Sequence, residues 1–292
     1  MNSDSALSRR SFLGGGLALA GGLAVARTTP AYAASSKTKV VAIPFSSDLY
    51  ATPEPQRFTL VLQQGTSDGI QYVSGPPVSV RFKGPDGTFG PYAKMTLDRT
   101  GLPKGRGVYR TDAAFGTPGT WDGQAKFLGK TTKFAMTLPA TAAAPVPGQA
   151  APRAASPTEA DTLGVNPICT RDPMCPLHTV SLSDVIGAGR PVAVLFATPA
   201  LCQSQYCGPV LDELLKVKTP YADRITFVHV DIYKSLKGTE QSPTVTAWNL
   251  PSEPWLFTVD GAGNVVGRID TAFGHDEMQE MLDHLLVASP AS

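Results

Sequence analysis

All four cysteines of this 292-residue chain lie between Cys169 and Cys207. Cys202 and Cys207 bracket Gln203-Ser204-Gln205-Tyr206, and Cys207 opens the run CGPVLDELLKVK, in which Val210, Leu211, Leu214 and Leu215 recur at helical spacing. A cysteine at a helix start faces unpaired backbone N–H groups and the positive end of the macrodipole, and both favour the thiolate. Pro209 suits the first turn, where no N–H is required. Helix-end electrostatics therefore assign the lower pKa to Cys207, while spacing alone leaves open which thiol attacks. Two such sulfurs at one strand tip can do thiol–disulfide exchange, one attacking and the other resolving the mixed disulfide. On a continuous helix, residues five apart stand about 7.5 Å apart along the axis, beyond the ~7 Å Cα limit for a disulfide. A 202–207 bond thus requires Cys202 to lie off the helix. Cys169 and Cys175 form a second pair, in ICTRDPMCP. Four cysteines allow three pairings. The expected one is 169–175, as a structural clip on the entry segment, with 202–207 as the redox pair. A static 202–207 disulfide without turnover is the alternative, since reactivity needs exposure.

The elements that must position these thiols read as α/β. Residues 191–197 (PVAVLFA) form a continuous apolar run, as expected of a strand covered on both faces. Residues 225–231 (ITFVHVD) give another strand, and 255–259 and 265–269 form two more, joined by Asp260-Gly261-Ala262-Gly263-Asn264 as a hairpin. Met278, Met281, Leu282 and Leu285 stripe a closing helix. Together they describe a mixed sheet with helices, over residues 161–288.

Residues 37–139 differ. Phe58, Leu60 and Leu62 recur at every second position, as do Val78, Val80 and Phe82, and Phe134, Met136 and Leu138. About seven short strands separated by Gly/Pro turns argue for a two-sheet β-sandwich. Gly107-Val108-Tyr109 resembles the tyrosine corner of immunoglobulin-like domains, a resemblance of architecture. This part holds no His or Cys; it reads as a spacer, or as a module that docks a partner. Between the two parts, 13 of the 21 residues from 140 to 160 are Ala or Pro, too little side chain to bury against an ordering cost, so the segment reads as a linker.

Charge excludes one class of function. Lys plus Arg number 25 against 24 Asp plus Glu, and the longest basic tract is Arg9-Arg10, so nucleic-acid binding by phosphate neutralisation has no footprint. Residues 1–33 run from Arg9-Arg10-Ser11-Phe12-Leu13 through an apolar, Gly-rich stretch to Arg27 and Ala31-Tyr32-Ala33. The stretch from 12 to 26 is shorter than the ~20 residues that cross a bilayer. The segment resembles a twin-arginine export signal, with an uncleaved anchor as the alternative. No cysteine stands near the cleavage site to carry a lipid. The resemblance implies a bacterial protein of the periplasm, envelope or medium, with no membrane role after cleavage, in a compartment where disulfides persist.

Over about residues 167–286 the order of elements, the apolar strand ending near Phe196, Cys207-Gly208-Pro209 opening a helix, Glu253-Pro254 before a strand and Gly274 before the last helix resemble the thioredoxin-like superfamily. The resemblance implies a thioredoxin-like fold after the sandwich, with Pro254 in the cis position facing the active cysteine. It implies catalytic Cys202 and Cys207, a peptide groove at Glu253, Pro254 and Trp255, protein thiols and disulfides as substrates, and neither cofactor nor metal. The chain departs from the usual Cys-x-x-Cys, offers no buried Asp in residues 191–197, and carries Glu253 where a neutral residue is usual. A carboxylate there disfavours ionisation of a thiol. Other readings remain. Copper handling would join two thiolates to a histidine, with His275 the best-placed loop candidate, His229 packed on a strand face, His178 near the entry segment and His284 on helix surface. A peroxidase matches Pro199-x-x-Cys202 only in part, and a binding protein with inert disulfides is the non-enzyme alternative.

Overall fold

The computed structural model describes residues 39–202 and 205–289, so the expected export segment lies outside them. No helix among the described residues is long and apolar enough to cross a membrane. The N-terminal part folds as β1 (Val40–Pro44), β2 (Thr52–Thr66), β3 (Gly69–Val73), β4 (Ser79–Lys83), β5 (Ala93–Lys94), β6 (Thr96–Asp98), β7 (Val108–Phe115), β8 (Gly119–Phe127) and β9 (Lys130–Leu138). One sheet runs β1-β2-β7-β6 with β3 on β2, the other β5-β4-β8-β9. The alternation in the sequence is what lets the sheets share a core: Phe58, Leu60 and Leu62 of β2 pack with Val80, Ala125, Phe127 and Leu138 of the other sheet. Phe58 meets the Phe82 ring edge-on at 4.8 Å and stacks with Phe134 at 5.9 Å. Gly123 is required there, since a Cβ would sit 2.0 Å from the Phe134 ring. The buried Tyr109 hydroxyl donates to the Pro76 carbonyl at 2.9 Å and accepts the Gly75 N–H at 3.0 Å, tying β7 to the loop after β3.

The C-terminal part comprises α1 (Leu182–Val185), β10 (Val192–Phe196), α2 (Cys207–Val217), β11 (Thr226–Val230), α3 (Pro243–Trp248), β12 (Trp255–Val259), β13 (Val265–Asp270) and α4 (His275–Ala288). Its sheet runs β11-β10-β12-β13, with β10 parallel to β11 and antiparallel to β12, and β12 antiparallel to β13. This order, with these directions, is a thioredoxin-like fold. β10 is buried along its whole length because both faces are covered. Ala193, Leu195 and Ala197 face α2 and α4, while Val192, Val194 and Phe196 face α1 and α3. The hairpin turn is held by the Asp260 carboxylate, which accepts the Asn264 N–H at 2.7 Å.

The Ala/Pro segment is held along its length. Gly148 N–H donates to the Val265 carbonyl and Val265 N–H to the Gln149 carbonyl, each at 2.8 Å, and Ala151 N–H donates to Gly263 at 2.9 Å. Asp48 accepts the N–H groups of Ala143 and Ala144 at 2.9 and 3.0 Å. Main-chain pairing and small buried methyls (Ala144, Ala151) do here what large side chains do elsewhere.

The two parts share buried charge. Arg57 of β2 reaches Glu277 of α4 through Nε and through Nη2 (2.7 Å), and also donates to the carbonyls of Asp270 (3.0 Å) and Ala272 (2.6 Å). Arg268 of β13 donates in return to the Asp48 carboxylate at 2.7 Å and the Ala144 carbonyl at 3.1 Å. Close approach is completed by Gly274, where a Cβ would fall 2.4 Å from the Thr100 carbonyl oxygen. Burial and the neighbouring Glu277 push the Asp98 carboxyl up to about 6. Removing one partner of a buried pair strands the other charge. Arg57→Met should therefore lower stability by about 3–5 kcal/mol in chemical denaturation of the whole chain; a loss no larger than that of an exposed ion pair would show that the contact is idle.

Candidate functional site

After β10 the chain folds back on itself before α2 begins. The N–H groups of Leu201 and Cys202 both donate to the Thr198 carbonyl, at 3.2 and 3.0 Å, and Gln205, in the left-handed region at φ 62°, donates to the Cys202 carbonyl at 3.2 Å. Cys202 therefore sits off the helix, and its sulfur accepts the Cys207 N–H at 3.3 Å, at the α2 N-terminus. The two sulfurs and a Glu253 carboxylate oxygen all lie within 4.8 Å of one another. The Cys207 S–H points to Glu253 Oε2 at 3.4 Å, and the same oxygen accepts the Thr198 N–H at 3.1 Å, while the Tyr233 hydroxyl meets Oε1 at 3.5 Å. Glu253 precedes Pro254 across a cis bond.

At Cys207 burial overrides the helix-end expectation of a lowered pKa. Cys207 is fully buried, and burial, then Cys202 and Glu253, push its thiol far up. Cys202 is partly exposed and takes the helix N–H. Burial together with the charge of Cys202 pushes the Glu253 carboxyl up to about 7, against the Cys207 and Thr198 hydrogen bonds.

The sandwich forms a wall of this site. Tyr206, next to Cys207, packs edge-on against Phe45 at 5.6 Å and Tyr72 at 6.4 Å. Arg106 lies over Tyr72 at 4.5 Å and donates to Gln205 Oε1 at 2.5 Å. The part expected to be a spacer thus grips the loop between the two thiols.

Several expected residues lie elsewhere. Trp255, expected in a peptide groove, is buried on the opposite face of the sheet from α2, stacked on Phe257 at 5.3 Å, with its Nε1 on Ser252 at 3.0 Å. Side chains alternate along β12, so Leu256, not Trp255, shares the face of the cysteines. Pro254 is buried as well. His275, the copper candidate, holds Glu213 at 2.7 Å across the start of α4, and the third ligand atom beside Cys202 and Cys207 is an oxygen of Glu253.

Cys169 and Cys175 stand as thiols rather than as the expected 169–175 clip. The Cys169 and Cys175 sulfurs converge instead with His178 and His229, two side chains that no sequence spacing connects. Cys169 is held low by the Cys175 S–H and the two imidazoles, while Cys169 and burial push Cys175 up. Burial lowers His229 toward the neutral imidazole. Asp231, at the end of β11 and 3.5 Å from His229 Nε2, is pushed up to about 8 by burial. Two histidines in apolar surroundings near a Cys-x-x-His step (Cys175 to His178) were the available signal.

No family model matches the chain, and neither does any curated protein. Among solved structures, a thiol:disulfide interchange protein DsbE from Chlorobium tepidum is 17% identical, covering 49% of this chain and 98% of its own, with a TM-score of 0.35. A thioredoxin-family thiol:disulfide interchange protein from Chlorobium tepidum TLS is 16% identical over 49% and 97%, at 0.32. The Lin-41 filamin domain is 12% identical over 35% and 93%, at 0.24.

A carboxyl raised from 4.5 to about 7 binds its proton more tightly in the folded chain than in the unfolded one. Its stabilising contribution is complete below about 4.5 and is lost as pH rises through about 7. In the reduced state, Glu253→Gln should gain stability relative to the parent over that window and hold the gain above it, as read by denaturation at stepped pH; a pH-independent difference would mean an ordinary carboxylate.

Proposed function

We propose that the chain is a thiol–disulfide oxidoreductase acting on protein thiols outside the cytoplasm through Cys202 and Cys207. One observation carries the reading: the partly exposed Cys202 sulfur takes a helix N–H while the buried Cys207 S–H faces a carboxylate within reach of both. In the reducing direction the Cys202 thiolate attacks a substrate disulfide, a Cys202–substrate bond forms, and one substrate thiolate leaves. The Cys207 S–H then passes its proton to Glu253, and its sulfur attacks Cys202. The 202–207 bond forms, the second substrate thiolate leaves, and the substrate has gained two electrons. The oxidising direction is the reverse. A carboxyl titrating at about 7 can both take and return that proton near neutrality. The immunoglobulin-like sandwich serves by bracing Tyr206, and the twin-arginine-like segment places the chain where disulfides persist.

Offered a disulfide-bonded peptide, Cys207→Ser should accumulate a covalent peptide adduct on Cys202, and Cys202→Ser none, by intact-mass analysis. Glu253→Gln should slow closure of the 202–207 bond by about 10²-fold while leaving first attack nearly unchanged. Failure of either thiol to form an adduct or to be alkylated in the reduced chain would leave an inert binding protein.

A further inference from the structure

The second cysteine pair makes a site of its own. Zinc–nitrogen bonds of about 2.0–2.1 Å and zinc–sulfur bonds of about 2.3 Å give a tetrahedron with N–N edges of about 3.3 Å and N–S edges of about 3.6 Å. His229 Nδ1 and His178 Nε2 are 3.2 Å apart. The Cys175 sulfur lies 3.3 Å from His178 Nε2 and 3.4 Å from His229 Nδ1, and the Cys169 sulfur 3.7 Å from His229 Nδ1. All four atoms fall within 4.8 Å of one another, and all four residues are buried. His229 Nε2 donates to the Ala197 carbonyl at 3.0 Å, which turns the bare Nδ1 toward the sulfurs, the outer hydrogen bond that metal-binding histidines ordinarily make.

We propose that Cys169, Cys175, His178 and His229 bind one Zn²⁺ in a closed tetrahedral site. Each thiol gives up its proton to solvent as the ion binds. Two thiolates, two neutral imidazoles and a divalent ion sum to zero charge, which a dry interior tolerates; copper(I) in the same shell would leave a buried negative charge. Four protein ligands leave no open position, so the ion is structural. It ties residues 169–178 to the end of β11. Through the Ala197 carbonyl on His229, and the Thr170 hydroxyl that accepts the Ala200 N–H at 3.3 Å, it steadies the start of the loop carrying Cys202.

Elemental analysis of the full chain, purified folded under mild reduction, should find one zinc per chain. The zinc should persist in the Cys202→Ser/Cys207→Ser double variant. Cys169 and Cys175 should resist alkylation until a strong chelator is added, then react. Cobalt(II) exchanged into the same double variant should show thiolate-to-metal charge transfer and tetrahedral d–d bands, and these should vanish in Cys169→Ser/Cys175→Ser. The measurements on chains that keep the cluster decide the matter even where that last variant fails to fold. A mapped 169–175 disulfide, copper in place of zinc, zinc lost with Cys202 and Cys207, or metal-free thiols that alkylate freely would each overturn the proposal. Because the double variant lacks the redox pair, the outcome is independent of the exchange activity.

Discussion

Arg57 begins in the sandwich and ends inside the other half of the molecule, and the arrangement of the site follows from what that requires. A guanidinium out of water needs carboxylates and carbonyls on all its donors. Glu277, Asp270 and Ala272 supply them from β13, the loop that follows it and α4. Once that contact is made, and Arg268 returns it through Asp48, the sandwich is fixed in one pose. In that pose Phe45 and Tyr72 lie under Tyr206, one residue from the buried thiol. The loop that brings two cysteines together from five residues apart is thus shaped partly by a domain with no cysteine of its own.

Within the site, geometry gives like groups unlike surroundings. Both sulfurs lie near the start of one helix, yet a single N–H separates their fates: it points at Cys202, while Cys207 is turned into the core beside Glu253. The carboxylate that looked from sequence like a handicap to ionisation accepts a hydrogen bond from the buried thiol at 3.4 Å. Thr198, whose N–H holds Glu253 and whose hydroxyl accepts the Ile232 N–H at 2.9 Å, locks that carboxylate to the strand end.

What the sequence disclosed was whatever is local. The alternation of Phe58, Leu60 and Leu62, the unbroken run from 191 to 197 and the Asp-Gly turn at 260 each encode their element in adjacent residues, and each element is present. The need for Cys202 to leave the helix followed from helical rise alone. Other features depend on which face of a strand is covered, and by what. Trp255 and His229 read as a groove residue and a packed residue, but strand parity decides sides only once the helices are in place. His178 and His229 are 51 residues apart in the chain, and no spacing rule brings them together; the register of β11 beside the entry segment does. The sandwich's hold on Tyr206 was equally hidden, being a contact between distant stretches.

The strap from 140 to 160 has a further consequence. Antiparallel to residues 263–265, it occupies hydrogen-bonding positions at the border of the four-stranded sheet, where another polypeptide could otherwise add itself. A composition too poor in side chains to build a core is well suited to guarding that border, because prolines offer few donors for a newcomer to pair with and alanines lie flat. Shortening the strap would bare a sticky rim, so its loss would register as self-association.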